Sequence, residues 1–414
     1  MNSITMFAPA LLMISRPVPF VVTLLLLLLL AKVLGEIMEQ LRQPAMIGEV
    51  LAGIILGPTL LGFVNTSEEL KVISDLGVFL LVIMAGMEID IESIRESIRG
   101  KNFWIALLGF LVPFTSGITI GLLFNLNMML TVFLGLCISI TALPVSIRIL
   151  IDLGKLNTDV GQKIISAAIF NDIVSLLILG VILDIKDGAG NYADLSLSVL
   201  FTVAKLVVFT ALIIFIYRFL QRAKNKMEFI TQRIDFVTNY LKGKESLFAM
   251  VIVFVLAFAS ITEIVGLHFV IGAFFGGMLL TSEMLGRDKY LGVQKSISGI
   301  TMGFLAPVFF ANMGVHFNLF EINNISLLLI ILLFSFISKI LGGYLGGSLA
   351  GMRRRKSLTL GIGLNARGIM ELVIANIALQ NGFIDTSMFS ILVLMGITTT
   401  VITPILLKRP QMSF

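Results

Sequence analysis

The sequence predicts an all-α polytopic membrane protein with about thirteen transmembrane helices. Three observations carry that class. Hydrophobic residues make up 57% of the chain and charged residues only 13%, about half the charged share of an ordinary soluble domain. The mean hydropathy is +1.03. Apolar stretches of the length needed to cross a bilayer recur from one end of the 414 residues to the other.

The segments lie at about 17–36, 45–63, 70–88, 102–124, 129–151, 160–184, 196–220, 246–263, 267–284, 298–316, 322–350, 357–381 and 386–408. They predict a single transmembrane domain over 1–414, with no soluble regulatory domain. Residues 1–30 lack a basic start and a small-residue cleavage site, so no removable signal peptide is expected. The lone cysteine, Cys137, forms no internal disulfide. Two histidines without a Cys/His cluster give no structural metal site. No nucleotide-binding loop is visible, which argues against an ATP-driven pump, and no catalytic constellation suggests an enzyme. The net charge of +5 fits basic loops at a membrane surface, not a nucleic-acid partner.

Loop charges set the orientation. Arg218, Arg222, Lys224, Lys226, Arg233, Lys242 and Lys244 follow segment seven, and Arg353, Arg354, Arg355 and Lys356 follow segment eleven. Four crossings separate these loops, so both lie on one side, which the positive-inside rule makes cytoplasmic. The loops bearing Arg95, Arg99 and Lys101, Lys155 and Lys163, and Arg287, Lys289 and Lys295 fall on the same side. The N-terminus is then outside and the C-terminus inside, in a bacterial-type plasma membrane.

An internal repeat is also legible. Gly77 through Met87 resembles Gly303 through Met313, and Leu134 through Thr141 resembles Leu360 through Arg367, both at an offset of 226. Ile47-Gly48 with Gly53 resembles Ile271-Gly272 with Gly277 at an offset of 224. Repeat one covers about 17–184 and repeat two about 246–408, joined by a linker helix at about 196–220 and a basic loop at 218–245. Seven helices separate the copies, so they run in opposite directions through the membrane. Inverted repeats of this kind mark secondary transporters, with the binding site near the midplane.

Two segments should break at matched repeat positions. Segment five carries Ser139-Ile-Thr141-Ala142-Leu-Pro144, and its partner in segment twelve carries Gly363-Leu-Asn365-Ala366-Arg367-Gly368. Proline removes an N–H and clashes with the preceding turn. Unwound backbone is tolerated in a bilayer only where protein or a watery cavity satisfies it. A kink serving packing alone is the competing reading. Matched breaks favour an ion site, with Arg367 compensating a half-helix end.

Charge inside the apolar segments narrows the site. Asp172 sits about 12 residues into segment six, or roughly 18 Å along the helix, near the midplane. A carboxylate there is a functional-site hypothesis by default. It holds a proton or a small cation but not both, and that competition is the core of antiport. Asn171 adds a neutral oxygen ligand. The competing reading is a protonated Asp172 that merely bridges helices. Lys339, deep in segment eleven, pairs with a polar site group or compensates a half-helix end. Glu371, one turn after Arg367, is its candidate partner. Glu49, Glu88 and Arg148 lie nearer the cytoplasmic ends, where Glu88 reads first as a solvated helix end and second as a cation attractor in an inner funnel. Glu263 and His268 read as interfacial. Gly342/Gly346 and Gly343/Gly347/Gly351 read as close helix packing.

With these residues in place, the chain resembles the cation:proton antiporter superfamily (monovalent cation:proton antiporter-2), and most of all its Kef-type and plant cation/H+ exchanger branch. The resemblance is carried by Gly53-Ile-Ile-Leu-Gly57-Pro58, Leu76-Gly77 through Gly86-Met87-Glu88, Ser139-Ile-Thr-Ala-Leu-Pro-Val, and Thr158 through Asn171-Asp172. It continues through Thr262 to Ala273, Leu364 to Glu371 and Leu392 to Thr400. It implies a homodimer with two crossed broken helices in a core bundle that moves against a dimerisation bundle. It implies that Asp172, with Asn171, Thr141 and Ser139, binds the cation and the proton, and that Lys339 matches a lysine that some members place opposite an acidic pair. Ala142, Pro144, Asn365 and Gly368 would be the broken-helix positions, with Lys339, Arg367 and Glu371 as supporting charges.

Electrogenic sodium-selective members carry Asp-Asp where this chain has Asn171-Asp172, so electroneutral exchange is expected here. The Asn-Asp pair leaves Na+ versus K+ open. Relatives of the branch usually add a cytoplasmic regulatory domain, whereas this chain ends about six residues after segment thirteen. No cofactor is implied beyond the transported Na+ or K+ and H+. A cation channel and a sodium-coupled symporter of an organic anion on the same architecture remain the alternatives.

Overall fold

The computed structural model describes residues 19–89, 100–185, 244–322, 324–409 and 412–414, with 204, 205, 208 and 215 as isolated positions. The loop residues Arg95 and Arg99 lie outside the described residues, as do nearly all of the linker segment at 196–220 and of the basic loop at 218–245. All regular structure among the described residues is helical. In chain order the helices are α1 Phe20–Gln40, α2 Ala45–Leu56, α3 Glu68–Met87, α4 Asn102–Leu123, α5 Met128–Ser139, α6 Leu143–Asp152 and α7 Asp159–Ile185. After the linker come α8 Lys244–Ile264, α9 Phe269–Leu279, α10 Arg287–Ile300, α11 Ala306–His316, α12 Ile325–Leu349, α13 Arg354–Gly363, α14 Ile369–Gln380 and α15 Thr386–Leu407. A five-residue π-helical turn, Thr301–Leu305, joins α10 to α11. Among the described residues, nine helical stretches are long and apolar enough to cross a membrane, and three apolar helices are shorter. The protein is an integral membrane protein.

Several boundaries differ from the hydropathy reading, each for a local reason. α2 stops at Leu56 because Gly57 turns extended and Pro58 follows without an N–H to continue the helix. α9 spans 11 residues, about 16 Å of helix, well short of a bilayer core. His268 starts it, its Nδ1 accepting from the Val270 N–H at 3.4 Å. α10 begins at Arg287, well before the apolar stretch at 298–316. Its first turns carry Arg287, Asp288, Lys289, Gln294 and Lys295, which no hydropathy window admits.

The residues fall into two compact units. One comprises the chain up to Gly77 with Phe304–Glu321, the other Val78–Gly303 with Ile322–Phe414. In the first, Leu27 and Ala31 of α1 pack with Ala52 and Leu56 of α2 and with Val308, Ala311 and Val315 of the later segment. The helices touch backbone to backbone at Gly53, where a Cβ would lie 2.8 Å from Gly314 Cα. The Thr59 hydroxyl ties the turn after α2 to the Phe317 carbonyl at 2.5 Å. The outer stripe of α1, Val21, Leu25, Leu29 and Val33, is exposed, as a face in contact with lipid should be.

In the second unit α4 packs against α5 and α12, and α12 against α13. Side-chain caps start several helices: Asn127 accepts from the Leu130 N–H at 2.8 Å, Asn324 from Leu327 at 2.9 Å and Asp385 from Met388 at 2.8 Å. The glycine pairs read in segment eleven sit at crossings. A Cβ on Gly343 would fall 2.5 Å from Gly361 Cα, and one on Gly346 would fall 2.7 Å from Ile105 Cα. Small residues allow this approach because lipid supplies no hydrophobic drive for helix pairing. Gly343→Val should therefore destabilise the protein by about 1–3 kcal/mol through overpacking, read as a lower midpoint of thermal unfolding in detergent. An unchanged midpoint would show that α12 and α13 separate at little cost.

Candidate cation-binding site

Two helices are interrupted. α5 ends at Ser139 and α6 starts at Leu143, with Pro144 in the first turn, where its missing N–H leaves no bond unmade. α13 ends at Gly363 and α14 starts at Ile369, with Gly368 at the boundary. The two unwound stretches satisfy each other. The Ala142 N–H donates to the Ala366 carbonyl at 2.8 Å, and the Thr141 hydroxyl donates to the Leu364 carbonyl at 2.9 Å. Buried backbone outside a helix requires such partners.

α7 brings the carboxylate to this crossing. Asn171 donates through Nδ2 to Thr141 Oγ1 at 3.1 Å. Asp172, only 1% exposed, accepts from the Leu143 N–H at the start of α6, where the helix dipole favours negative charge. The charged side chains acting on it are Glu88 and Lys339. Asp172 Oδ1, Asn171 Oδ1, Ser175 Oγ and Asn365 Oδ1 are buried without a hydrogen-bond partner among the described residues. Buried polar atoms rarely stay so, and oxygens are the ligands hard cations take. Ser175 was not singled out in the sequence, although its i+3 spacing from Asp172 places both on one face of α7.

The buried cations do different work. Lys339 Nζ donates to the Ser139 carbonyl and, at 3.2 Å, to the Gly109 carbonyl. Arg367 donates to the Cys137 carbonyl and, through its other terminal nitrogen, to the Ile138 carbonyl at 2.7 Å. The Cys137, Ile138 and Ser139 carbonyls are the last of α5, the negative end of its dipole, and two wholly buried side chains hold them. Arg367 also lies 3.5 Å from Glu371 Oε1, and Thr400 Oγ1 donates to the Arg367 carbonyl at 2.9 Å. Neither Lys339 nor Arg367 donates to Asp172.

Asp172, Asn171, Thr141 and Ala142 thus meet around the crossing, with Arg367 fixed to the end of α5. The Ser139 hydroxyl donates to the Leu136 carbonyl at 2.8 Å, and its backbone carbonyl accepts from the Lys339 ammonium. The Asn365 amide donates back to the Gly361 carbonyl of α13 at 3.3 Å, and its oxygen has no partner among the described residues.

Two cavities lie where the end of α3 meets α10. A cavity of about 420 Å³ is lined by Met84, Met87 and Glu88 from the end of α3 and by Leu291, Gln294, Lys295 and Ser298 from one side of α10. Beside it, sharing Glu88 and Met84, lies a small cleft, the neck, of about 10 Å³, also bounded by Pro144, Met302, Ile369 and Met370, room for about one water. The cleft ends beside Pro144, next to the residue whose N–H holds Asp172. Glu88 therefore faces a vestibule and is not merely a solvated helix end.

The comparisons agree with this architecture. The family model described as "Sodium/hydrogen exchanger, transmembrane" matches residues 21–410. The probable Na+/H+ antiporter GerT of Bacillus cereus is 30% identical, over 94% of this chain and 99% of the relative. The Na+/H+-K+ antiporter GerN of the same organism is 30% identical, over 92% of this chain and 94% of its own. Among solved structures, the sodium proton antiporter MjNhaP1 of Methanocaldococcus jannaschii superposes with a TM-score of 0.67 over 93% of this chain and 94% of its own, at 18% identity, and so shares the fold. With a match that runs almost from end to end and two full-length relatives at 30% identity, the chain belongs to the sodium/hydrogen exchanger family of membrane transporters.

Proposed function

We propose that this chain exchanges a monovalent cation, Na+ or K+, for H+ across a bilayer by alternating access to Asp172, one positive charge against one. The names of GerT and GerN support the reaction class. The observation that carries the assignment to this residue is the Asp172 carboxyl: buried, oriented by one helix N-terminus, and presenting an unpartnered oxygen beside those of Asn171 and Ser175. A bare carboxylate in such a place is costly. It is relieved by a proton or by a desolvated alkali cation, so loading one expels the other.

Electroneutrality follows from charge use. Asn171 stands beside the single carboxylate, and Lys339 and Arg367 both bond carbonyls at the end of α5. Neither has to release a proton for the site to turn over. The cycle then carries no net charge. The basic loops support a C-terminus inside and an N-terminus outside in a plasma membrane, and the resemblance supports a homodimer.

The test is dye-reported proton flux in proteoliposomes on addition of Na+, K+ or Li+, with and without an imposed potential. Flux that depends on the cation and ignores the potential is expected. No response to any of the three, at any pH, would overturn the reading.

Competition sets the pH dependence. Lowering pH on the side where the cation enters fills the carboxyl with protons and excludes the cation. Once most sites are protonated, each unit fall in pH should raise the apparent KM about tenfold, by mass action at one site. Well above the carboxyl's pKa the KM should be flat. A KM that stays constant through the acid range would mean that the two ions use separate sites.

A further inference from the structure

The vestibule holds a feature that the antiport scheme does not use. Its lining carries one acid, Glu88, and one base, Lys295, among the described residues. Leu291, Gln294, Lys295 and Ser298 follow i, i+3, i+4, i+7, one face of α10. That face is fixed to the end of α3 by the Tyr290 hydroxyl, which donates to the Met87 carbonyl at 2.9 Å. Glu88 and Lys295 are both exposed to the cavity and form no ion pair with each other. The two charges thus line one cavity without a direct contact. Lys295 lines the larger cavity alone, whereas Glu88 lines both it and the neck at Pro144.

We propose that Lys295 sets the affinity for the transported cation from this face, as a tethered positive charge that offsets the attraction of Glu88 in the vestibule. A cleft with low-dielectric walls focuses the field of its charged groups and changes the local concentration of small ions. Glu88 raises the concentration of Na+ or K+ before the neck, and Lys295 lowers it. The vestibule is a binding antechamber for alkali cations, and the balance of these two charges tunes how full it is. The inference rests on the antiport reading for its transport consequence but not for the field itself.

Two measurements test it on the full chain. The first reads the field directly. The chain's one cysteine, Cys137, is fully buried, so Lys295→Cys supplies a single accessible thiol. In purified protein its reaction rates with cationic and anionic methanethiosulfonates are compared. The cationic reagent should be favoured over the anionic one, relative to a free thiol, and Glu88→Gln should abolish the preference. Equal relative rates with Glu88 intact would overturn the proposal whether or not the protein transports anything.

The second reads transport in everted vesicles at fixed pH. Lys295→Cys should lower the apparent KM for the cation about threefold to tenfold, the low end of field focusing in clefts. Attaching the cationic reagent should return it toward the wild-type value, while the anionic reagent should lower it further. Because the same folded protein is compared before and after labelling, a folding defect does not mimic the result. Wild-type flux with a KM indifferent to the charge at this position would overturn the role of Lys295 and leave antiport standing. Absent wild-type flux would instead count against antiport, and the thiol rates would still decide the field.

Discussion

Asp172→Asn should reduce cation-driven proton flux to the background of empty liposomes while leaving the protein folded. The amide keeps the size of the carboxyl and can still accept from the Leu143 N–H that orients it. It can neither take up nor release a proton, and it lacks the charge that makes a desolvated cation worth binding. Stability should hold or rise, because replacing a buried ionisable group by a neutral one of the same shape removes a desolvation cost. The decisive pair of measurements is flux against thermal unfolding in the same detergent preparation. Undiminished flux in the variant would remove Asp172 from the mechanism.

Arg367→Met should be the most damaging single change to stability. It deprives Glu371 of the cation 3.5 Å away and leaves the Cys137 and Ile138 carbonyls without their donors. Removing one member of a buried ion pair costs about 3–5 kcal/mol, and no solvent is present to screen the loss, since both side chains are 0% exposed. The unfolding midpoint should drop sharply. Adding Glu371→Gln to Arg367→Met should recover part of it by discharging the stranded carboxylate. If the single variant melts like the parent, the crossing is held by the Ala142 N–H and Thr141 hydroxyl bonds without help from Arg367.

Much of the site was legible because a charge in an apolar run has few explanations. Asp172, Lys339 and Arg367 stand out for that reason, and Pro144 marks the break that α6 resumes from. What the sequence did not yield was the choice of partner. Lys339 and Arg367 reach carbonyls some 200 to 230 positions away, and a carbonyl has no letter in the sequence. Ser175 was hidden because serine in a membrane helix commonly bonds its own backbone. Its role emerges only from an oxygen left without a partner. The vestibule was read only in part, as an inner funnel at Glu88, and the place of Lys295 in it was missed for a different reason. Glu88 and Lys295 are 207 positions apart in the sequence, and the first turns of α10 are too polar for any hydropathy window to include them in a helix crossing the membrane.

The bonds from Ala142 to Ala366 and from Thr141 to Leu364 have a mechanical consequence. The unwound stretches are laced to one another, so neither can flex as an independent hinge without breaking a bond to its neighbour's backbone. Under the proposed exchange, a motion that shifts one stretch draws the other with it as a single carriage. A substitution that unlaces them, Thr141→Val for instance, would then act on coupling before speed, letting one ion slip across without its counterpart.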